Sequence, residues 1–340
     1  MFTLKTNDDK NVKPFPEQLM QMLTGHYISQ GIYVAAKLGI ADLLKDGAKT
    51  IDELAQFTQV ETQSLYRILR ALASNGIFTE SAPSNFVNTP MTEYLQSDFP
   101  GSVRDAVILE GEQWLWQTWG SMFTALKTGV SGVSTQLGMP LVEYFKQNPE
   151  QFATFKAGLK NYSTIINRAV LAAYNFPSES KIIDLGGGDG SLLVSILEAD
   201  VTMNGVLFEL PSVIARDRAS SHKSYEMVEG DFFTSVPTGG NIYVLKQIIH
   251  NWNDEQAIKI LCNCKQAMPQ DSRLLIIDPI VCSQESSFAT FLDLQLLITH
   301  PGAWVRTQDE LIKLAQKAGL QVTNIIKTQS PCTIIECQNE

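Results

Sequence analysis

The sequence predicts an α/β protein. Its core would be a doubly wound, mostly parallel seven-stranded sheet closed by a C-terminal antiparallel hairpin, preceded by a helical N-terminal domain of winged-helix outline. Three observations predict it. From Lys181 onward, short apolar runs alternate with helix-patterned runs, as in a parallel sheet covered on both faces. Up to about Leu159 the chain is patterned almost wholly as helix. The length of 340 residues suits about two domains, each large enough for its own core.

The elements follow in order. Residues 18–44 repeat apolar side chains at three- and four-residue spacing, which predicts helix. Thr50 then opens TIDELAQ, with Glu53 three residues on to complete a capping box. In ETQSLYRILRALASNGIF, Leu65, Ile68, Leu69 and Leu72 share one helical face, and Asn75-Gly76 ends the helix with a pair that tolerates left-handed backbone. IFTESAPSNFVNTP has the look of a short β-wing. Helix, helix and wing can serve DNA binding or act as a packing and dimerisation module. The second helix offers only Arg67 and Arg70 as bases, so the packing module is favoured. Residues 110–155 are rich in aromatics (Trp114, Trp116, Trp119, Phe123, Tyr144, Phe145, Phe152 and Phe155). Most are expected in the core, with some free to line an apolar pocket.

The second half reads as KIIDL (181–185), GVLFEL (205–210), EMVEGDFF (226–233), NIYVLKQ (241–247) and RLLIIDP (273–279) for strands. Between and after them, SLLVSILEA (191–199), PSVIARDRASS (211–221), DEQAIKILCNCKQAM (254–268) and TQDELIKLAQKAGL (307–320) read as helices. QVTNIIKTQ and CTIIEC form the closing hairpin. The expected domains are 1–110 for the winged-helix-like part, 111–178 for a helical connector, and 179–340 for the sheet domain.

Composition narrows the function classes. Lys and Arg number 26 against 36 Asp and Glu, a formal charge of −10, so no nucleic-acid partner is expected. The five cysteines include no C-x-x-C pair and read as packed, reduced thiols. The polar opening MFTLKTNDDKNVKPFP lacks the apolar core of a signal peptide, and no run of about 18 apolar residues could span a membrane. No membrane partner and a cytoplasmic location are expected.

The chemistry centres on Asp184-Leu185-Gly186-Gly187-Gly188-Asp189-Gly190-Ser191, where the first strand of the sheet turns into its first helix. Open α/β sheets bind ligands at such strand ends. A dinucleotide fingerprint G-x-G-x-x-G would need glycine where Ser191 stands. The acid-first pattern of Asp184, Gly186, Gly188 and Gly190 fits better. A carboxylate there repels a pyrophosphate and attracts an ammonium, and S-adenosylmethionine carries an ammonium, a sulfonium and no phosphate. Glu209 ends the next strand, 25 residues later, suited to ribose hydroxyls. Gly230-Asp231-Phe232-Phe233 ends the third, with Asp231 for an adenine amine and Phe232 or Phe233 for the ring.

With these motifs the chain resembles the two-domain class I S-adenosylmethionine-dependent O-methyltransferases, of the plant caffeic-acid type and the bacterial natural-product type. GHYISQGIYVAAKLGIADLL, DLGGGDGS, FELPSVI, GDFF, VLKQIIHNWND and DLQLLITHPGAWVRTQDEL carry the resemblance in order and spacing along nearly the whole chain. The resemblance implies a class I methyltransferase fold and a homodimer. It implies S-adenosylmethionine as cofactor, a small aromatic or apolar acceptor, and no metal. By the same carry-over Ser163 and Lys246 lie near the cofactor's polar end and His250 is the general base, with Asp278 as its carboxylate partner. Phe155, Leu159, Trp252, Leu296, His300 and Trp304 enclose the acceptor.

The chemistry agrees with a base. A phenol is nearly neutral at pH 7, and a histidine can take its proton. A solvated or helix-capping His250 is the plainer alternative. The chain also departs from the family. Asp278 stands where a glutamate is usual, Val305 replaces a second carboxylate, and Asn251 replaces the aspartate after the histidine. These departures keep open N- or C-methylation, a non-methylating relative and, less favoured, a cofactor-sensing regulator. A metal held by His250, His300 and Asp278 lacks any close-spaced ligand pair.

Overall fold

The computed structural model describes residues 14–217, 225–282 and 288–339. Residues 1–13, and residues 218–221 of the expected helix PSVIARDRASS, lie outside them. The chain forms two compact units: Met1–Gly120 with Gln136–Tyr162, and Ser121–Thr135 with Ser163–Glu340.

The first unit opens with α1 (Phe15–Leu23), α2 (Gly25–Lys37) and α3 (Ile40–Leu43). The single helical pattern over 18–44 is therefore broken twice. Thr24 leaves helical backbone after α1, and Gly39 turns left-handed at φ 67°. Across Gly39 the periodicity persists because α2 and α3 keep one face on the same core, whereas the apolar side chains of α1 are exposed. After β1 (Lys49–Thr50), α4 (Ile51–Thr58) starts on the expected capping box. Thr50 accepts from the Glu53 N–H at 3.2 Å, and Glu53 accepts from the Thr50 N–H at 2.7 Å. In α5 (Thr62–Ala73), Leu65, Leu69 and Leu72 are buried, and the helix ends at Asn75-Gly76 as expected. The wing is β2 (Thr79–Ala82) and β3 (Asn85–Val87), and β1 joins it to make a three-stranded sheet.

Helices α6 (Arg104–Gly111) and α7 (Gln113–Trp119) complete the first run of this unit, and α2 packs on α6 and α5. Helices α8 (Met122–Thr128) and α9 (Gly132–Leu137) follow, then α10 (Leu141–Gln147) and the long α11 (Pro149–Ala173). The expectation that most aromatics of 110–155 are core needs correction. Trp114 is buried, the six others apart from Phe123 are half-buried, and Phe123 is exposed. The seven-residue helices α7, α8 and α10 offer too little buried face to enclose side chains this large.

The second unit is built on β4 (Lys181–Leu185), α12 (Ser191–Ala199), β5 (Asn204–Glu209), α13 (Pro211–Asp217), β6 (Glu226–Glu229), β7 (Ile242–Lys246), α14 (Asp254–Ala267), β8 (Arg273–Pro279), α15 (Phe288–Thr299), α16 (Gln308–Lys317), β9 (Leu320–Lys327) and β10 (Cys332–Asn339). The sheet order is β6-β5-β4-β7-β8-β10-β9. The first five are parallel, and β10 runs antiparallel to both its neighbours. This is the class I methyltransferase fold. The central strands are apolar without alternation because helices bury both faces. The chain leaves β4 toward β5 on one side and returns to β7 on the other, so the switch point opens beyond the ends of β4 and β7.

Candidate active site

Asp184 lies in β4, opposite Leu207 of β5 and Val244 of β7. It is buried, and neither carboxylate oxygen has a hydrogen-bond partner among the described residues. Burial pushes its carboxyl up to about 7, against the pull of the Lys246 ammonium, and Glu209 and Asp189 add to the rise. Burial likewise holds Lys246 below the usual lysine range, with Asp184 and Asp189 pulling it back. A cation set against Asp184 would reverse the first shift.

The glycine loop is shaped for close approach. Gly186 is left-handed at φ 69°, and a Cβ there would sit 2.8 Å from Ile248 and 3.2 Å from Phe232. Gly190 is left-handed at φ 72°, and its Cβ would meet the Tyr225 hydroxyl at 2.4 Å. Gly188, between them, is left-handed and open to space. Glu209 ends β5, where burial raises its carboxyl while the N–H groups of Leu210 and Gly188 oppose the rise. Gly230 donates to the Glu209 carbonyl at 3.0 Å, bringing the end of β6 alongside. Asp231 is exposed and spends Oδ1 on its own turn, accepting from Phe233 N–H at 2.8 Å. Phe232 stands edge-on to Phe233 and Trp252 at centroid distances of 5.1 and 6.1 Å.

The polar end is tied to α11. Lys246 donates to Ser163 and, at 2.9 Å, to Asn167 Oδ1. Asn167 in turn donates to the Ser191 hydroxyl at 3.1 Å. Asn167 escaped the sequence reading, and Ser191 was read only as the end of the glycine motif. The available signal was that Asn167 lies one helical turn beyond Ser163.

Past β7, Gln247 takes a left-handed backbone (φ 57°) and turns the chain into a short 3₁₀ turn, Ile249–Asn251. That turn presents His250. Its Nδ1 meets Asp278 Oδ1 at 2.6 Å, and its backbone N–H donates to Asp278 Oδ2 at 3.2 Å. Asp278 therefore fixes both ring and backbone, leaving Nε2 without a partner among the described residues. The Trp304 N–H donates to the His250 carbonyl at 3.1 Å. Val305 is buried with Leu296, Ala289 and Ala303, and its N–H donates to Asp293 at 2.8 Å.

The acceptor set expected from the family is distributed. Trp304 lies beside the His250 turn, while His300 ends α15, exposed, with Nδ1 2.8 Å from the Thr299 hydroxyl. Leu296 is buried in its own apolar cluster, and Trp252 packs on Phe233 at 4.7 Å, with the aromatic pair that follows β6. Phe155 and Leu159 belong to the other unit, where Phe155 joins Trp114 and Phe145 and Leu159 is exposed. Among the described residues no group of three or more His, Cys, Asp or Glu is placed to hold a metal ion.

An orphaned buried carboxylate, a left-handed glycine loop and a strand-end acid stand together at the switch point of a class I methyltransferase fold, the fold of S-adenosylmethionine-dependent methyltransferases. The chain belongs to the O-methyltransferase family: residues 119–321 match its O-methyltransferase domain and residues 20–98 its dimerisation domain. It is 35% identical over 341 residues to a phenazine O-methyltransferase of Lysobacter antibioticus, covering 98% of both chains. It is 31% identical to a phenazine-1-carboxylate N-methyltransferase of Pseudomonas aeruginosa, covering 91% of this chain and 92% of that one. The solved structure of CalO1, a methyltransferase in calicheamicin biosynthesis in its SAH-bound form, superposes with a TM-score of 0.88 at 29% identity, covering 97% of this chain and all of the other.

Proposed function

We propose that this methyltransferase acts as a homodimer and transfers a methyl group to a hydroxyl of a small aromatic metabolite, with His250 as general base. Asp184 would hold the cofactor's ammonium and Lys246 with Ser163 its carboxylate. Glu209 would take the ribose hydroxyls, and Asp231 and Phe232 the adenine. The cofactor, when bound, supplies an electrophilic methyl on a sulfonium. The chain's own work is then to bind the acceptor, exclude water and remove one proton.

The observation that carries the base assignment is the 2.6 Å contact between His250 Nδ1 and Asp278. It fixes the tautomer with the proton on Nδ1, which leaves Nε2 as the proton acceptor. As the hydroxyl proton passes to Nε2, the imidazolium that forms is stabilised by Asp278. The test combines calorimetry with S-adenosylhomocysteine and single-turnover methylation of catechol, 1-naphthol and 1-hydroxyphenazine, with products read by mass spectrometry. His250→Ala should bind the cofactor product within about threefold of wild type and methylate roughly 10²–10⁴-fold more slowly. An unchanged rate would remove His250 as base.

One observation favours a second reading, methylation of nitrogen. With Val305 apolar, Asp278 is the one carboxylate partner of His250 among the described residues, and one of the relatives above is named as an N-methyltransferase. A ring nitrogen without a proton needs no base. A His250→Ala enzyme that still methylates an azaarene at full rate would support that reading over the first.

A further inference from the structure

Arg306 is among the largest fully buried side chains, and neither the cofactor site nor the base uses it. A buried guanidinium is strongly destabilising unless its donors are met. Here they are met by one short segment. Nη1 donates to the carbonyl of Ile249 at 3.0 Å, and Nη2 to the carbonyl of Trp252 at 2.7 Å. Nε and Nη2 both reach Asp254 Oδ1, at 3.1 and 2.9 Å. The guanidinium also lies over the Trp304 ring, 4.4 Å from its centroid. The two carbonyls belong to the residue before His250 and the second residue after it. The backbone of Arg306 faces the other way, its carbonyl accepting from Val281, three residues beyond Asp278, at 3.1 Å. One residue thus joins the turn that presents the imidazole to the strand exit that presents its carboxylate.

We propose that Arg306 is a positioning residue for His250: its planar fork sets the 249–254 turn so that Nδ1 stays on Asp278 and Nε2 keeps its aim. The proposal rests on the reading of His250 as base. An apolar side chain of like volume would fill this space without the desolvation cost, but it would leave two carbonyls and Asp254 unheld. Lysine would keep the charge and lose the fork. A displacement of about 1 Å at a base costs on the order of 100-fold in rate.

The test reads His250 directly. In protein saturated with S-adenosylhomocysteine, the exchange of the His250 Nδ1 proton is followed by NMR in wild type, Arg306→Lys, Arg306→Met and Asp254→Asn. Exchange should quicken about tenfold in both Arg306 variants and several-fold in Asp254→Asn, as a local opening would. Affinity for S-adenosylhomocysteine should stay within about twofold. Wild-type exchange in variants that bind normally overturns the proposal. So does a parallel loss of affinity, which would make Arg306 general scaffolding. If the buried substitutions fail to fold, Asp254→Asn, at a half-exposed side chain, decides alone. Rates then separate this proposal from the one beneath it. Arg306→Met should slow the hydroxyarene converted fastest in wild type, and cost nothing further in a His250→Ala background. A fully active His250→Ala enzyme refutes the base. An inactive one in which Arg306→Met still costs as much refutes only the positioning.

Discussion

Asp184 shows how strongly burial can set the chemistry of a single side chain. Its buried, unpaired carboxylate is held up to about 7. In the cofactor-free protein its pKa thus exceeds the unfolded value of about 4. Between those values the folded state binds the extra proton, so this group's contribution to stability falls as pH rises from about 4 through about 7. Above 7 the full cost of a buried charge remains. Asp184→Asn removes the charge and leaves an unpaired amide, which costs about 1–3 kcal/mol itself. Thermal melts of the cofactor-free variant at pH 8 should therefore match or exceed wild type, and the margin should shrink toward pH 5. Cofactor affinity should meanwhile drop by about 10–100-fold, the worth of a hydrogen-bonded charge pair. A variant that melts lower than wild type at pH 8 would contradict this account. Asp184 was legible because an acid two residues before a glycine series is a local pattern. Arg306 was not, because no spacing along the chain announces that a charged residue between Val305 and Thr307 will be buried beneath a turn more than fifty residues earlier.

Among the elements, the loop between β4 and α12 holds two glycines that share a backbone conformation and differ in surroundings. Gly190 at φ 72° would drive a Cβ to 2.4 Å from the Tyr225 hydroxyl, while Gly188 at φ 62° has nothing within 4 Å. Gly188→Ala meets only left-handed strain, about 1 kcal/mol. Gly190→Ala adds a clash and should cost roughly 2–4 kcal/mol. Urea unfolding followed by tryptophan fluorescence separates them, and equal costs would show that space around Gly190 is not limiting. Elements with local signals were read closely from the sequence. The strand Lys181–Leu185, the helix Ser191–Ala199, the strand Arg273–Pro279 and the Thr50–Glu53 capping box all stand where the pattern put them. The pattern failed where a break leaves periodicity intact, as at Thr24 and Gly39. It also failed where packing over distance decides burial, as for Phe123 against Trp114. The positions of Asp184 and Glu209 at strand ends followed from the local pattern. The packing of Leu296 in its own cluster and of Trp252 on Phe233 did not. Which side of a helix meets a ligand is a tertiary fact.

For the whole molecule, charge and exposed apolar surface point to different partners. The winged-helix outline is present, yet Arg67 and Arg70 of α5 sit in a chain of net charge −10, and Arg70 rests on its neighbour Tyr66, 5.3 Å from the ring centroid. Duplex DNA at low salt should therefore not retard in a gel. Among the described residues no helix is long and apolar enough to cross a membrane. The first helices do expose a run of large apolar side chains. Phe15, Leu19, Met20, Leu23 and Tyr27 are all more than half exposed, Leu19 by 68%, and α1 buries none of its residues. A contiguous exposed apolar face of this kind marks an association surface, and it overlaps the start of the dimerisation-domain match at residue 20. A second copy covering it gives a closed, self-complementary pair. Sedimentation should then report twice the 37.7 kDa chain mass. Leu19→Asp with Leu23→Asp places two charges on that face and should yield a monomer. The seven-stranded sheet, where the cofactor site is proposed, has its own core, so S-adenosylhomocysteine should still bind to the monomeric variant within a few-fold. A wild-type monomer at micromolar concentration would refute the dimer. A dimeric double variant would move the interface away from α1.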